Sequence, residues 1–417
     1  MMERKGSPGL QLAIATLGFL VNFWAWALLT PLGKAYFGKE YGLTAAQVSL
    51  LVAIPVVVGS LGRIPIGALA DRFGARVMFP LVSLATIIPV LYIGLIAEPE
   101  IHSIVAVQIG GFFLGLAGTA FAIGIPHVSK WFSPEEKGKA LGIFGIGMGG
   151  TAIAAFTTVP MFTNYSHRLP FIVVAIVLAA YAVLAFLTLR DPEDAPPPAA
   201  GSMWARTWNT MKMPVTQQLS WLYAIGFGGY VAFSVYLPTL LKTDPVYGLD
   251  GTVDTGLTDA LVAHNNNIAS LLLGVFVIIA VACRPLGGIL SDMFGGVAIS
   301  AICFSVLTAG AIALCFHPSL WVAFPIICIM GSSLGASSGA TFALVGESAP
   351  PDKVGAVTGV VGAVGGLGGF VPPLVLGAIW DSQHSFRLGF ILLAVVAAGT
   401  LAFTLGPVRK QAAKDHG

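Results

Sequence analysis

Arg63-Ile-Pro-Ile-Gly67-Ala-Leu-Ala-Asp71-Arg-Phe-Gly74 recurs 221 residues later as Arg284-Pro-Leu-Gly-Gly288-Ile-Leu-Ser-Asp292-Met-Phe-Gly295. Arg, Gly, Leu, Asp, Phe and Gly coincide at one offset, which also sets Phe121 on Phe342 and Gly118 on Gly339. A slightly smaller offset superposes Gly138, Gly142 and Gly145 on Gly355, Gly359 and Gly362. Chance does not sustain so many matched polar and glycine positions. The chain is a duplicated unit, and the repeat divides it near its middle.

Composition says what is duplicated. Of 417 residues 56% are hydrophobic and only 10% are charged, against about 25% charged in a soluble domain. That excludes a soluble enzyme and a disordered chain, and a net charge of +2 is too small for a nucleic-acid binder. A spanning helix needs about 20 mostly apolar residues. Such runs fall near 9–32, 46–70, 75–96, 103–126, 137–163, 169–189, 218–241, 267–291, 296–315, 318–346, 352–380 and 386–406. They are long and continuous rather than short and alternating, so they read as helices, not barrel strands. The first run is too long for a signal-peptide core and reads as a retained span. The expected fold is an all-α integral membrane protein of twelve transmembrane helices in two pseudo-symmetric six-helix bundles. The first bundle covers 1–190, a Pro-rich charged linker 191–217, and the second bundle 218–417, with an external loop insertion at 242–267.

Twelve is even, so both termini share a side. With the N-terminus inside, fourteen Lys and Arg fall on cytoplasmic segments and five outside. The positive-inside rule therefore puts both termini in the cytoplasm and the protein in the cell membrane. Cys283, Cys303, Cys315 and Cys328 lie inside apolar runs and read as small packing residues. The histidines show no metal-ligand spacing. No metal, cofactor or nucleic-acid partner is expected, and the lipid bilayer and a small solute are.

Arg63 lies eight residues before Asp71, which is about 12 Å into the membrane at helical rise, near the middle of a core about 30 Å thick. Arg284 lies eight before Asp292, at the same depth. An intramembrane arginine costs at least about 2.5–3.5 kcal/mol and normally pairs with an acid. Every acid here falls in a loop or at a span end. An anion from outside the protein is the simplest counter-charge for two like charges in a low dielectric, and a guanidinium fork suits a planar oxyanion. The plainer alternative is that both arginines snorkel or bond backbone carbonyls for structural reasons. Phe121 and Phe342, paired by the repeat, are candidates to sandwich a flat anion. Gly145, Gly147, Gly149, Gly362, Gly365 and Gly366 sit at membrane depth, where small residues let helices approach and slide. They read as the moving contacts of a transporter whose site lies at the repeat interface, the plainer alternative being static tight packing.

The Gly67-to-Arg76 segment resembles the cytoplasmic motif between spans two and three of the major facilitator superfamily. Gly115-Leu-Ala-Gly118-Thr-Ala-Phe121-Ala-Ile-Gly124 with Gly142-Ile-Phe-Gly145-Ile-Gly147-Met148-Gly149-Gly150, and the Gly355-to-Phe370 run, resemble the nitrate/nitrite porter family within it. The resemblance implies a secondary transporter moving nitrate or nitrite by alternating access, held between Arg63 and Arg284. Phe121 would line the site, and so would Tyr223 and Phe227, which share one face of span seven. The resemblance also implies a cytoplasmic latch of Asp71, Arg72 and Arg76, with Asp292 its degenerate copy. Met148 stands where the family carries an Asn, which removes a neutral hydrogen-bond donor. A carrier of another small anion, such as a monocarboxylate, therefore stays open, as does an anion-binding sensor without flux. Protons are a candidate co-substrate. Nothing in the chain resembles an enzyme's nucleophile, metal cluster or acid/base pair at one depth. The working unit is read as a monomer.

Overall fold

Residues 7–191, 208–249, 259–349 and 354–411 are described by the computed structural model. Among them are twelve helices long and apolar enough to span a membrane, and no strand. The first six are α1 (Pro8–Glu40), α2 (Ala45–Gly67), α3 (Ala75–Ala97), α4 (Ile104–Trp131), α5 (Ala140–Asn164) and α6 (Leu169–Thr188). The second six are α7 (Pro214–Thr243), α8 (His264–Phe294), α9 (Gly296–Leu314), α10 (Leu320–Val345), α11 (Ala356–Gln383) and α12 (Arg387–Gln411). The inner end is defined here as the end carrying both termini, and the outer end as its opposite.

With every span apolar, burial rather than periodicity sorts them. In α1 and α7 the most apolar window is 72% and 78% buried, in α12 only 33%. The first span of each half therefore lines the middle of the molecule and α12 faces lipid. The two halves meet along α2 with α11 and along α5 with α8.

Gly74 and Gly295 turn the chain between α2 and α3 and between α8 and α9. Both hold positive φ, 76° and 85°, which glycine adopts without a Cβ penalty. The repeated motif is thus partly a backbone requirement.

The halves differ in how their helices are interrupted. Near the centre α4 tightens to 3₁₀ over Gly115–Thr119 and α5 over Ile146–Gly149. In the second half the helix through α10 runs unbroken over Leu320–Ser348, and α11 breaks between Val354–Gly368 and Val371–Gln383. The Pro-Pro pair at 372–373 opens that outer segment, where missing N–H groups are tolerated.

One expectation is corrected. The external insertion was expected over 242–267, but α7 continues to Thr243 and the next helix begins at Asp259. Polar residues there are buried by packing: Asn265 and Asn266 are largely enclosed, and Asn266 Nδ2 donates to the Ala35 carbonyl. The linker expected over 191–217 is entered from α6 at Asp191 and left at α7 from Pro214; its residues 192–207 lie outside the described residues.

Candidate functional site

Both central arginines are buried, Arg63 at 4% and Arg284 at 3% exposure. They come from α2 and from α8, one from each half. Arg63 Nε donates to the Gly118 carbonyl at 3.3 Å, and Nη1 donates to the Gly362 carbonyl at 2.7 Å. Arg284 Nη2 donates to Tyr223 Oη at 2.9 Å, and Nη1 reaches Met148 Sδ at 3.0 Å. Each arginine therefore bonds once within its own half and once across to the other.

Aromatic faces surround both cations. The Arg63 guanidinium carbon lies 4.9 Å from the Phe121 ring centre and 5.6 Å from that of Phe227. The Arg284 guanidinium lies 5.9 Å from Phe121, 5.9 Å from Tyr223, and 5.5 Å from both Phe227 and Phe342. Phe121 and Phe227 are thus shared between the two charges. Tyr223 and Phe227 lie parallel at 4.9 Å, and Phe121 stacks on Phe227 at 6.0 Å. Ring quadrupoles present negative faces to the cations, which offsets part of their burial. No ion pair with a carboxylate is formed by either arginine among the described residues. The buried acids there, Glu98 and Asp244, sit at the outer ends of spans.

All six residues expected to bind substrate thus converge: Arg63, Arg284, Phe121, Tyr223, Phe227 and Phe342. The glycines explain how they fit. A Cβ at Gly145 would stand 3.0 Å from Arg284 Nε, one at Gly366 2.7 Å from Arg63 Nη1, and one at Gly362 2.9 Å from Phe121. Gly365 abuts Tyr223, and a Cβ at Gly147 would meet Phe19. Gly149 has more room, its nearest neighbour being Val281 at 4.0 Å. Most of these glycines therefore admit the charged and aromatic side chains, besides letting helices meet.

The remaining cavity is small. About 10 Å³ is open beside Arg284, lined by Phe121, Ile125, Leu141, Phe144 and Phe342, room for roughly one water.

Four contacts were not legible from sequence. Met148 accepts from Arg284; its position was noted, its contact was not. The Gly118 and Gly362 carbonyls hold Arg63, the first from a 3₁₀ turn and the second from within a helix. Tyr230 Oη lies 2.9 Å from Thr151 Oγ1, joining α7 to α5 beside Met148; its spacing seven residues after Tyr223 puts it on the same face.

The expected latch is described in part. The Asp71 side chain lies outside the described residues. Arg72 is exposed over the Phe73 ring, and Asp292 is exposed. Arg76 works within its own half: its Nε donates to the Phe186 carbonyl. Asp191, at the end of α6, accepts from the Ala75 N–H at 3.0 Å and the Arg76 N–H at 3.5 Å, capping α3. His127 Nδ1 lies 3.6 Å from the same carboxylate. Burial pushes the Asp191 pKa up, but the His127 imidazole and the two N–H groups outweigh it, so the carboxyl is held below its usual range.

The Major Facilitator Superfamily model matches residues 15–373 and 257–416. The chain is 40% identical over 414 residues to the probable nitrate/nitrite transporter NarK2 of Mycobacterium tuberculosis, covering 97% of this chain and 98% of that protein. It is 33% identical to the probable nitrate transporter NarT of Staphylococcus haemolyticus, covering 99% of each. It is 31% identical to the nitrite extrusion protein of Bacillus subtilis, covering 98% of this chain and 96% of that one. The crystal structure of a bacterial homologue of the human lysosomal transporter Spinster, inward-facing and occupied, superposes with a TM-score of 0.66 at 19% identity, covering 95% and 96% of the two chains. That likeness speaks for the fold.

Proposed function

The chain belongs to the major facilitator superfamily and, within it, to the nitrate/nitrite porter family, and from that premise we propose that it moves nitrate or nitrite across the cytoplasmic membrane by alternating access, with the anion held between Arg63 and Arg284. The observation that carries this reading is a pair of buried guanidiniums, one from each half, sharing the faces of Phe121 and Phe227 without a carboxylate partner among the described residues.

Two like charges in a low dielectric repel, and the ring faces only partly compensate. A monovalent anion between them lowers the local charge from +2 to +1. Nitrate and nitrite are planar, so their oxygens meet guanidinium forks in plane while their faces meet rings. Arg284 is the arginine more readily turned to the anion, because a thioether is a weak acceptor. The small cavity implies that binding moves Met148 and the rings aside. Since Arg63 also holds the Gly362 carbonyl of α11, anion capture at Arg63 competes with a bond between the halves. That links occupancy to their relative position, and the glycines of α5 and α11 supply the close contacts along which they shift.

The Lys and Arg census supports cytoplasmic termini, which makes the inner end the cytoplasmic one. The transporter is proposed to act as a monomer. Its test is counterflow in proteoliposomes: labelled nitrate against internal nitrite or nitrate, with and without a pH gradient. Uptake driven by internal nitrite without a gradient is the expected result; stimulation by an inward proton gradient would assign protons as co-substrate. Competition by a monocarboxylate but not nitrite would move the assignment to that other anion. Binding without any flux would replace transport by sensing.

A further inference from the structure

At the outer end, α2 begins with its N–H groups fully accounted for. Thr44 and Gln47 form a capping box: Thr44 Oγ1 accepts from the Gln47 N–H, and Gln47 Oε1 accepts from the Thr44 N–H. The Ala45 and Ala46 N–H groups remain. Both are taken by one carboxylate from the other half: Asp381 Oδ1 at 3.1 Å from Ala45 N, and Oδ2 at 3.0 Å from Ala46 N. We propose that Asp381 is the carboxylate of an outer latch, which holds the two halves together at the outer end and must be released for the site to open outward. It rests on the alternating-access reading above.

Asp381 is poorly placed for its own helix. It stands in the last turn of Val371–Gln383, where the helix dipole disfavours a negative charge. The dipole of α2, whose N-terminus it faces, favours that charge. Closure therefore adds the favourable field of the α2 N-terminus, which offsets the unfavourable field of Asp381's own helix. One turn earlier, Gly377 packs on Ser49 and on the Ala45 backbone, so the two helices approach closely enough for the carboxylate to reach. From its own side Asp381 is held by a rigid base: Trp380 stacks on Phe386 at 4.8 Å, and Tyr236 meets Phe386 edge-on at 6.1 Å.

The arrangement is the inverse of the inner motif. Asp71 lies near the end of the helix that α2 becomes at its inner end, Arg63–Phe73, and Asp381 lies near the end of α11 at the outer end. Since α2 and α11 run antiparallel side by side, Asp381 at the C-terminal end of α11 stands beside the N-terminal end of α2. On the opposite flank Phe156 of α5 packs against Gly274 of α8, and Asn266 of α8 donates to the Ala35 carbonyl of α1.

Two variants test this without anion. Asp381→Ala removes the acceptor. Ala45→Pro removes one donor at the first helical position, where proline is well tolerated. Nitroxides at Tyr165 and Phe316, both exposed in outer turns of opposite halves, report outer separation by pulsed electron resonance. The background replaces Cys283, Cys303, Cys315 and Cys328 and keeps the wild-type melting temperature. Loss of charge-assisted bonds should raise the ratio of open to closed outer ends roughly tenfold for Asp381→Ala, with a smaller shift in the same direction for Ala45→Pro. A wild-type distance distribution in folded, monodisperse Asp381→Ala would overturn the latch, as would a shift in Asp381→Ala with none in Ala45→Pro. Nitrate exchange by the wild type is measured separately. Its absence would remove the transport reading while the separation data still decide the latch.

Discussion

Arg63 and Arg284 occupy matching places in the two halves, yet one is bonded to two backbone carbonyls and the other to a phenol and a thioether. Helix continuity accounts for part of the difference. The first half breaks α4 into 3₁₀ geometry over Gly115–Thr119, which leaves the Gly118 carbonyl turned toward Arg63. The corresponding Gly339 lies within an unbroken helix, and Arg284 turns to side chains instead. The lesson is that duplication preserved the charges and their depth, while local backbone geometry differentiated how firmly each charge is held. The same contrast recurs at the inner corners. Gly74 is crowded by the Asp191 carboxylate that caps α3, whereas Gly295 has open space where a Cβ would be.

The largest expected effect tests the arginines. Arg63→Lys and Arg284→Lys keep the charge and lose the bidentate fork. A charge-assisted hydrogen bond contributes about 1.5–3 kcal/mol, so each variant should lose at least roughly tenfold in nitrate and nitrite affinity. Arg284→Lys should lose more, because Arg284 is the freer arginine. Alanine at either position should abolish specific binding. Titration of purified, monodisperse protein measures this; wild-type affinity in both lysine variants would return the arginines to the purely structural reading. Equal losses would break the asymmetry between halves.

Next come the corners. Asp191→Ala should destabilise the first half by about 1 kcal/mol, the usual cost of a lost N-cap, reduced by its partial exposure. Gly74→Ala should cost more than Gly295→Ala, since both lose the glycine needed at positive φ but only Gly74 also meets Asp191. Melting curves in detergent give the order, and a larger loss at Gly295 would contradict it. The Asp191 contribution also has a pH sign. Its pKa is lowered on folding, so the stabilisation is fully present above the ordinary carboxylate value and fades as pH falls through the folded value. The stability difference between wild type and Asp191→Ala should therefore shrink as pH falls below about 4.

The smallest effect sharpens the comparison. Met148→Leu conserves volume and removes the sulfur acceptor, freeing Arg284 Nη1 for the anion. Affinity should tighten by up to about threefold, because the thioether lost is only a weak acceptor. A marked loss in the same titration would make the thioether part of the anion site rather than a placeholder.

Much of this was legible in the chain. Twelve spans follow from run length, because twenty apolar residues have few other uses. The pairing of Arg63 with Arg284, and of Phe121 with Phe342, follows from a single offset. Tyr223 and Phe227 needed family resemblance, since a Phe-rich span offers many faces of equal apolarity. The expected insertion over 242–267 includes Asn265, Asn266 and Asn267, which the structure places within the helix running from Asp259, with Asn266 buried and bonded to the Ala35 carbonyl of α1.

What the sequence determined by itself was membrane residence, helix number, the duplication and the matched places of Arg63 and Arg284 in the two halves. All depend on distances counted along one chain, and helical rise converts these directly into depth. What only the tertiary structure decided was the acceptor each guanidinium meets, the capping of α3 by Asp191 across 116 residues, and the seating of Asp381 on α2 across 336. These contacts depend on how neighbouring helices are rotated and how closely they approach, which is set by packing between residues far apart in sequence and by which end of the molecule is closed.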